Sequence, residues 1–474
     1  MNIIRFLKYN TVIICAFTVT FFACSGKKEF VKPNIIFIMA DDLGYNEVGC
    51  YGQDQILTPN IDRLAVEGMK FTQHYSGSPV CAPARSVLMT GLHTGHTPSR
   101  GNLEVDPYGQ YPLPAESLTV AEILKTAGYR TAMYGKWGLG VENTVGDPNR
   151  QGFDDFYGYY CQVHAHNSFP EYLYHNGEKV MLGNEVTYLP EDHWTRGLGG
   201  YATKKVDYSN DDFFELAIEF IKKNKTVPFF LYLPVTMPHD NGEAPEGERY
   251  ESPTLVPYEG EDWSFEKKSR AAVITRMDEY IGRIMETLDA ESLNHNTLVI
   301  FTSDNGCDNP AFFHGSGALR GMKRDVYEGG IRVPFIARWT GKIKAGSVSE
   351  HISAFWDFLP TMCDVAGIDK EVSGDGISYL PELLGKDQPS HEYLYWEFHE
   401  LGKKQGLRKG NWKAVRLNVY DHPEGPIELY DLDSDIGETT DLASQFPEIA
   451  EDMAAIMKEA HTPDPRWPLF HTEE

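Results

Sequence analysis

Residues 34–42 read Asn34-Ile35-Ile36-Phe37-Ile38-Met39-Ala40-Asp41-Asp42, a continuous apolar run that ends in two acids. The length of the run and its β-branched residues predict a strand covered on both faces, as in the sheet of an α/β protein. Open α/β sheets bind ligands outside the carboxyl ends of their strands, which is where Asp41 and Asp42 are expected to lie. The stretch therefore predicts an α/β fold with a polar site at one edge of its sheet.

Three further apolar runs also lead to polar residues. The runs are residues 129–134, 228–233 and 297–302, and the polar residues beyond them are Lys136, His239, Asp304 and Asn305. Helical patterns separate the runs, at residues 58–68, 119–128, 211–223 and 269–289. This alternation predicts a largely parallel sheet with helices on both faces. Residues 140–210 and 240–265 show little periodicity and are interpreted as loops, which often carry specificity.

The pattern changes near residue 386. Short aromatic strands at 393–398 and 412–415 are followed by a helix over 447–460. Because 474 residues exceed one ordinary core, we predict two domains. These are a catalytic domain over 33–385 and a smaller α+β subdomain over 386–474.

The N-terminus resembles an export signal. Arg5 and Lys8 precede an apolar run, so residues 1–23 are interpreted as a signal peptide and residues 24–32 as a linker. Residues 21–24, which end in Ala23-Cys24, resemble a bacterial lipobox. We predict lipidation at Cys24 and a membrane anchor, hence a periplasmic or cell-surface lipoprotein of a Gram-negative bacterium. Simple secretion is the alternative.

The net charge of −26 argues against nucleic-acid binding, which needs a basic face. It is also unfavourable for an anionic substrate, so an anion site here must be locally positive.

Residues 78–91 contain the motif Cys81-Ala82-Pro83-Ala84-Arg85. Pro83 suits the first turn of a helix, which puts Cys81 at a helix N-terminus, where negative charge is favoured. Alone, this motif also fits a thiol of lowered pKa or half of a disulfide. Bridges among Cys50, Cys161, Cys307 and Cys363 and buried free thiols are both open.

The longer stretch, with Ser86 and Thr90-Gly91, resembles the activation signature of type I sulfatases, which depend on formylglycine. The resemblance covers about residues 33–461 and points to bacterial carbohydrate and arylsulfatase A-like members of the alkaline phosphatase superfamily. It implies a large mixed, mostly parallel sheet between helices, plus a small C-terminal domain with an antiparallel sheet. It also implies that a maturase oxidises Cys81 to formylglycine, whose hydrated aldehyde is the nucleophile.

The resemblance assigns the other site residues as well. It implies one divalent ion, Ca²⁺, held by Asp41, Asp42, Asp304, Asn305 and the modified Cys81; four side-chain oxygens suit a hard cation. Arg85 is expected to hold the nucleophile and metal in register. Lys136, His239 and Lys323 are expected to contact the sulfate, and His239 or Lys323 to protonate the leaving oxygen. Residues 328–334 are interpreted as structural.

Gly138 departs from the family pattern, in which many members carry a histidine after Gly-Lys-Trp. That histidine is generally assigned to deprotonating the hydrated aldehyde. A glycine cannot remove this proton. Either another residue acts as the base, or turnover is slow, or the protein has lost catalysis. His164, His166 and His314 are possible substitutes, although ordinary surface roles fit each of them.

The resemblance implies a sulfuric ester hydrolase that removes O-sulfate from the end of a sulfated carbohydrate, with 4-O-sulfated galactose or N-acetylgalactosamine expected. His166, His314 and His399 are the expected sugar-binding residues, and the aromatic stretch 157–160 offers either stacking faces or core residues. One alternative is a phosphate or phosphonate monoester hydrolase. The other is a non-catalytic lipoprotein that binds sulfated glycans.

Overall fold

The computed structural model describes residues 31–105, 109–190, 198–369 and 372–473. The expected signal peptide, Cys24 and most of the expected linker lie outside these residues. Within the described ranges, no helix has both the length and the apolar character needed to cross a membrane.

Twenty strands are present among the described residues. They are β1 (Asn34–Ala40), β2 (Met69–Phe71), β3 (His74–Tyr75), β4 (Glu104–Val105), β5 (Gly109–Gln110), β6 (Arg130–Lys136), β7 (Asp155–Tyr159), β8 (Tyr172–His175), β9 (Glu178–Met181), β10 (Glu185–Tyr188), β11 (Gly200–Lys204), β12 (Phe229–Pro234), β13 (Thr297–Ser303), β14 (Phe335–Arg338), β15 (Ser347–Ser349), β16 (Ser353–Ala354), β17 (Leu394–Phe398), β18 (Lys404–Lys409), β19 (Trp412–Leu417) and β20 (Glu428–Asp431).

Ten of these strands form one mixed sheet, in the order β15-β2-β14-β13-β1-β12-β6-β7-β8-β9. The central strands β13, β1, β12, β6 and β7 are parallel to their neighbours in that group. Antiparallel pairs, β13 with β14 and β7 with β8, flank the parallel centre. The expected fold class is confirmed, with β1 in the middle of the sheet.

Helices cover both faces of this sheet. The α-helices of the described residues are α1 (Pro59–Glu67), α2 (Cys81–Thr90), α3 (Val120–Thr126), α4 (Ser209–Lys223), α5 (Phe265–Ala290), α6 (Glu328–Ile331), α7 (Phe358–Ala366), α8 (Leu380–Leu383) and α9 (Pro447–Glu459). Alternate residues of β1 enter two separate cores: Ile35 and Phe37 pack with α2, α3 and α7, whereas Ile36 and Ile38 pack with α1, α4 and α5. Burial on both faces is why β1 is apolar throughout.

The interpretation of residues 140–210 as loops was wrong in part, because this segment contains β7 to β11. Glycine obscures the strand pattern of β7. Gly158 pairs with Gly135 of β6, and a Cβ on Gly158 would lie 1.8 Å from the Gly135 carbonyl oxygen. The neighbouring Tyr157, Tyr159 and Tyr160 are buried. They are therefore core residues and offer no stacking face to a sugar.

The last part of the chain forms a second sheet, β17-β18-β19-β20, in which neighbouring strands are antiparallel. Helix α9 packs on it through Met453 and Met457, which share a buried cluster with Tyr395 and Leu407. The sheet also contacts the segment before α2, because Trp396 Nε1 donates to the carbonyl oxygen of Ser76 at 2.9 Å. The expected C-terminal α+β element with an antiparallel sheet is thus present.

Candidate active site

Four parallel strands of the main sheet lead to polar residues at one edge. Asp41 and Asp42 follow β1, Lys136 ends β6, and Asp304 follows β13. His239 comes five residues after the end of β12. Since carboxyl ends of parallel strands meet at one edge, residues far apart in sequence are brought together there. All of these side chains are buried.

Two lysines pair with the two aspartates that follow β1. Lys136 Nζ lies 2.7 Å from Asp41 Oδ2, and Lys323 Nζ lies 2.6 Å from Asp42 Oδ2. Burial opposes the charged form of Lys323, but the acidic groups around it, Asp42 foremost, together outweigh burial and raise the pKa of this lysine. Asp42 has a φ of 62°, a left-handed conformation that is uncommon for a non-glycine residue and is found at functional sites.

Cys81 is the first residue of α2, as the motif predicts. Its Sγ lies 3.2 Å from Asp41 Oδ1, and Asn102 Oδ1 accepts a hydrogen bond from the next backbone N–H at 3.2 Å. Burial, together with Asp304 and Asp41, raises the pKa of the Cys81 thiol well above its ordinary value. Burial therefore acts against a thiol of lowered pKa. The disulfide alternative is wrong, since Cys81 and the other described cysteines are free.

Arg85 lies one turn further along α2 and is fully buried. Its Nη2 donates to Asp304 Oδ2 at 2.9 Å and lies 3.7 Å from Asp41 Oδ2. Its Nη1 donates to the carbonyl oxygen of Lys136. Arg85 thus ties α2 to the ends of β6 and β13, next to Cys81. Asp41, Asp42, Arg85, Lys136, Asp304 and Lys323 are called the strand-end cluster below.

The residues fit a divalent metal ion. Asn305 Nδ2 donates to Asp42 Oδ1 at 2.7 Å, whereas Asn305 Oδ1 is buried and has no hydrogen-bond partner among the described residues. A buried oxygen of this kind is costly unless something binds it. Burial and the nearby Asp41 also raise the pKa of Asp304, as expected where carboxylates crowd. Ligand atoms of Asp41, Asp42, Cys81 and His239 lie within 4.8 Å of one another. Oxygen-rich donors suit Ca²⁺.

Charge counting supports the same fit. With all three carboxyl groups ionised, Asp41, Asp42 and Asp304 balance the charges of three cations, Arg85, Lys136 and Lys323. A neutral cluster in a protein of net charge −26 gives an anion little attraction. A bound divalent cation would make the site positive, which an anionic substrate needs.

His239 is oriented by its two ring nitrogens. Nδ1 lies 2.5 Å from the carbonyl oxygen of Asp240, and Nε2 lies 3.0 Å from Lys323 Nζ. Burial and the charge of Lys323 lower the pKa of His239 well below its ordinary value. The geometry suits a neutral imidazole. Its Nδ1–H donates to the Asp240 carbonyl oxygen, and its Nε2 accepts a hydrogen bond from Lys323 Nζ.

A cavity of about 350 Å³ adjoins the strand-end cluster. Its lining residues are Cys81, Asn102, Lys136, Gln162, Val163, His166, Leu189, His239, Asp240, Gly242, Glu243, Lys323 and Arg324. The expected sugar ligand His166 is among them; its ring stacks on that of His239 at 4.8 Å, and its Nδ1 lies 2.9 Å from Glu243 Oε2. The cavity thus has cations near Cys81 and hydrogen-bonding groups on its walls.

Two of the expected sugar-binding histidines do not line this cavity. His314 is exposed, and its backbone carbonyl accepts from Asn46 Nδ2 at 3.2 Å and from the Gly317 N–H at 2.7 Å. The side chain of His399 is only 4% exposed, and its Nε2 lies 3.1 Å from Glu397 Oε2. Glu397 also contacts Arg100 and His461, so His399 belongs to a packed ionic group of the C-terminal sheet. A single sequence does not show whether a side chain is exposed or where it points. For this reason the two histidines were wrongly assigned from residue type alone.

Gly138 has a φ of 78°, which residues with a side chain rarely adopt, and a side chain there would require Gln162 to move. A Cβ there would lie 1.9 Å from Gln162 Nε2. Of the three histidines considered as a substitute base, His166 lines the cavity and His314 does not. His164 is buried elsewhere, and burial lowers its pKa to about 3.

The sequence interpretation missed the residues that brace the site from behind. Arg270 of α5 is fully buried and donates to both carboxylate oxygens of Glu47, at 2.6 and 2.7 Å, and to the Asp42 carbonyl oxygen at 2.9 Å. Glu47 in turn accepts from the Gly44 N–H at 2.7 Å. An arginine within an apolar helical stripe was the one available signal, since such a charge needs a buried partner.

Comparisons with known proteins agree with this geometry. The family model described as Sulfatase matches residues 33–368, and the model described as N-sulphoglucosamine sulphohydrolase, C-terminal, matches residues 321–462. An N-acetylgalactosamine-6-O-sulfatase of Bacteroides thetaiotaomicron is 30% identical, with 91% of this chain and 93% of that protein covered. Arylsulfatase A of Homo sapiens is 30% identical, with 88% and 86% covered. The crystal structure of Ps i-CgsB in complex with k-i-k-neocarrahexaose has a TM-score of 0.77 at 27% identity, with 94% and 96% covered.

Proposed function

Because the chain belongs to the sulfatase family of sulfuric ester hydrolases, we propose that it removes O-sulfate groups from the ends of sulfated carbohydrates. The observation that carries this proposal is the cavity, which has Cys81, Lys136 and Lys323 on its lining beside neutral hydrogen-bonding groups. Cations suit the sulfate, and amide and imidazole groups suit sugar hydroxyls. Two relatives whose names refer to sugars, the N-acetylgalactosamine-6-O-sulfatase and the carrageenan-oligosaccharide complex, support the carbohydrate class.

The size of the cavity favours a chain end over a chain interior. About 350 Å³ lies near the lower limit of small-molecule sites, which span roughly 300–1,000 Å³. A terminal sugar with its sulfate can enter such a space, whereas an internal sugar needs an exit at both sides. We therefore assign an exo-acting mode.

We propose that the sugar is of galactose type. Sulfate at the 4-O position of galactose or N-acetylgalactosamine is the first candidate, drawn from the resemblance of the Gly138 variant and of the loop that carries His166. The 6-O position is the second candidate, because the Bacteroides thetaiotaomicron relative is an N-acetylgalactosamine-6-O-sulfatase.

Two groups complete the proposed site. Formylglycine, made from Cys81 by a maturase, would supply the nucleophile as a hydrated aldehyde. A Ca²⁺ ion held by Asp41, Asp42, Asp304, Asn305 and residue 81 would supply positive charge against the sulfate.

The chain's own residues bind and orient the substrate. Lys136 and Lys323 hold fixed positive charge on the cavity lining, and Arg85 keeps α2 in place against the strand ends. Such preorganised charge favours the charge that develops in the transition state. Lys323 Nζ is the proposed proton donor to the leaving sugar oxygen, with His239 Nε2 orienting it at 3.0 Å. His166, paired with Glu243, is the proposed base in place of a residue at 138.

Two further proposals concern the ends and the organisation of the chain. Residues 1–23 act as a signal peptide, and Cys24 carries lipid that anchors the protein outside the cytoplasm. Detergent partitioning of the wild type and of Cys24→Ala tests this, and an unchanged partition would contradict it. Residues 33–385 form the catalytic domain and 386–474 a subdomain, for which limited proteolysis near residue 386 is the test.

A panel of mono-sulfated sugars, read by release of free sulfate, tests the function. We expect release from terminal 4-O-sulfated galactose or N-acetylgalactosamine; release from 6-O-sulfated sugars alone would select the second candidate. Activity only on aryl sulfates or choline sulfate would contradict the carbohydrate class. Faster cleavage of aryl phosphate or phosphonate than of aryl sulfate would favour the monoester-hydrolase alternative. Binding of a sulfated glycan without sulfate release would favour the non-catalytic one.

A further inference from the structure

Gln162 carries a buried amide with no partner on the cavity wall. The residue follows β7, is 3% exposed and lines the cavity together with Cys81 and Lys136. Its Oε1 and Nε2 are both enclosed, and neither has a hydrogen-bond partner among the described residues. Leaving a buried donor or acceptor unpaired costs about 1–3 kcal/mol per group. An amide in this position therefore calls for a partner from the cavity.

The backbone fixes where this amide lies. Trp137 N–H donates to the Tyr159 carbonyl oxygen at 2.9 Å, and Gly138 N–H donates to that of Tyr160 at 3.0 Å, which extends the β6–β7 pairing. Gly138 presents only its Cα at this point, and Gln162 Nε2 occupies the space that a Cβ would need. Glycine at 138 and glutamine at 162 thus form one packed unit beside the catalytic cavity.

The amide's chemistry selects its partner. An amide has a carbonyl oxygen that accepts and an NH₂ group that donates. A sulfate group only accepts hydrogen bonds, so it would leave Oε1 unpaired. Lys136 and Lys323, on the same lining, are the groups suited to bind the sulfate. A hydroxyl both donates and accepts, so a sugar hydroxyl can donate to Oε1 or accept from Nε2. A second hydroxyl can then pair with the other atom of the amide.

We propose that Gln162 binds a hydroxyl of the sugar next to the sulfated position and so determines which sugar is accepted. This inference rests on the proposed carbohydrate function. The role is specificity: a site built to hydrogen-bond a hydroxyl discriminates strongly against an analogue that lacks it.

The test compares Gln162→Met with the wild type on two substrates, a terminal sulfated galactoside and 4-nitrophenyl sulfate, which has no hydroxyl. Methionine has a similar length and no amide. We expect the ratio of kcat/KM on the sugar to kcat/KM on the aryl sulfate to fall by about tenfold, the effect of one hydrogen bond. Gln151→Met is the matched control: Gln151 is buried with an unpartnered Oε1 but does not line the cavity, so its variant should keep the wild-type ratio.

A series of mono-deoxy sugar sulfates completes a double-mutant cycle. Removal of the hydroxyl that Gln162 binds should lower wild-type kcat/KM about tenfold and leave that of Gln162→Met nearly unchanged. Each comparison is a ratio of kcat/KM values measured on one protein preparation, so a lower folded fraction of the variant cancels.

The outcomes are distinguishable. An unchanged ratio in Gln162→Met, or deoxy sugars that lose as much with the variant as with the wild type, overturns the role of Gln162 while the carbohydrate function stands. Wild-type protein that cleaves the aryl sulfate and no sulfated sugar overturns the carbohydrate function and this inference with it.

Discussion

Two of the buried charged groups among the described residues differ in their relation to the cavity beside Cys81, because only one of the two adjoins it. The first is the strand-end cluster. The second, called the Glu328 cluster here, consists of Tyr75, Glu328, Arg332 and Lys413. Both contain fully buried carboxylates that contact cations within about hydrogen-bonding distance.

The Glu328 cluster is closed. Glu328 Oε2 accepts from Tyr75 at 2.6 Å and from Arg332 at 3.2 Å, and Oε1 accepts from Lys413 Nζ at 3.1 Å. Burial alone would raise the pKa of Glu328, but Lys413 and Arg332 lower it to about 2. The group joins α6 to β19 and β3 and leaves neither carboxylate oxygen of Glu328 unpaired.

The strand-end cluster is open by contrast. Next to it, Asn305 Oδ1 and the amide of Gln162 have no hydrogen-bond partner among the described residues, and Gln162 lines the cavity. Buried charge by itself therefore does not identify a site. What separates the two clusters is the cavity, which Lys136 and Lys323 line and Glu328 does not.

The largest expected effect comes from Cys81. Cys81→Ala should lower sulfatase kcat by ~10⁴-fold or more, because it removes the nucleophile's precursor. Oxidation to formylglycine lowers the residue mass by about 18 Da, which mass spectrometry of the peptide checks. Cys50→Ala is the control and should retain activity, since Cys50 does not line the cavity. Active enzyme with an unmodified Cys81 thiol would contradict the assignment.

Next in size is loss of the metal. Asp304→Asn should weaken both Ca²⁺ affinity, measured by calorimetry, and kcat/KM by more than ~10²-fold, the upper end of effects seen for residues that only support metal ligands. Asp278→Asn is the control; Asp278 accepts from the Asn60 and Ile61 N–H groups and so caps α1 instead. Full activity of thoroughly chelated, metal-free protein would refute the metal site.

A substitution in the Glu328 cluster should lower the stability of the protein and leave its catalytic rate nearly unchanged. Glu328→Gln leaves Lys413 and Arg332 unneutralised, and we expect the free energy of unfolding to fall by ~3 kcal/mol. Sulfate release per folded molecule should change less than threefold. Glu185→Gln, at an exposed pair with Lys204, is expected to cost under about 0.5 kcal/mol. If Glu328→Gln lost activity at unchanged stability, the distinction between the clusters would fail.

Low pH should reduce the contribution of Glu328 to the free energy of unfolding. The pKa of Glu328 is lower in the folded protein than its ordinary value of 4.5, so its contribution is complete above that pH and is lost as pH falls towards about 2. Between pH 7 and pH 3.5 the stability difference between wild type and Glu328→Gln should shrink by about 1 kcal/mol. Denaturant titrations at both pH values measure this; a difference that grows with acid would show the opposite sign.

The smallest effect is expected at His314. Because its side chain is exposed and does not line the cavity, His314→Ala should keep kcat/KM on a sulfated sugar within about twofold, as surface changes usually do. His166→Ala, its counterpart inside the cavity, should lose at least about tenfold. Equal losses in the two variants would mean that the cavity does not define the sugar site.

Local sequence patterns predicted much of the fold. The run from Ile35 to Ala40 is apolar at every position because both faces of β1 are buried, and α3 begins at Val120, as the helical pattern over 119–128 predicts. Strand β7 escaped prediction because the close approach of Gly135, a residue on another strand, requires glycine at position 158. A tertiary constraint had replaced the usual strand residue.

Sequence patterns predicted the fold class, the residues that follow the central strands and the family, because each depends on nearby residues with a short, specific spacing. The packed structure showed which histidines reach the cavity and that Gln162 fills the space beside Gly138. It also showed that both carboxylate oxygens of Glu328 are paired and that Asn305 Oδ1 is buried without a partner among the described residues. These outcomes depend on contacts between residues tens to hundreds of positions apart, such as Asn305 with Asp42. Direction and enclosure of a side chain are properties of packing, and no local pattern encodes them.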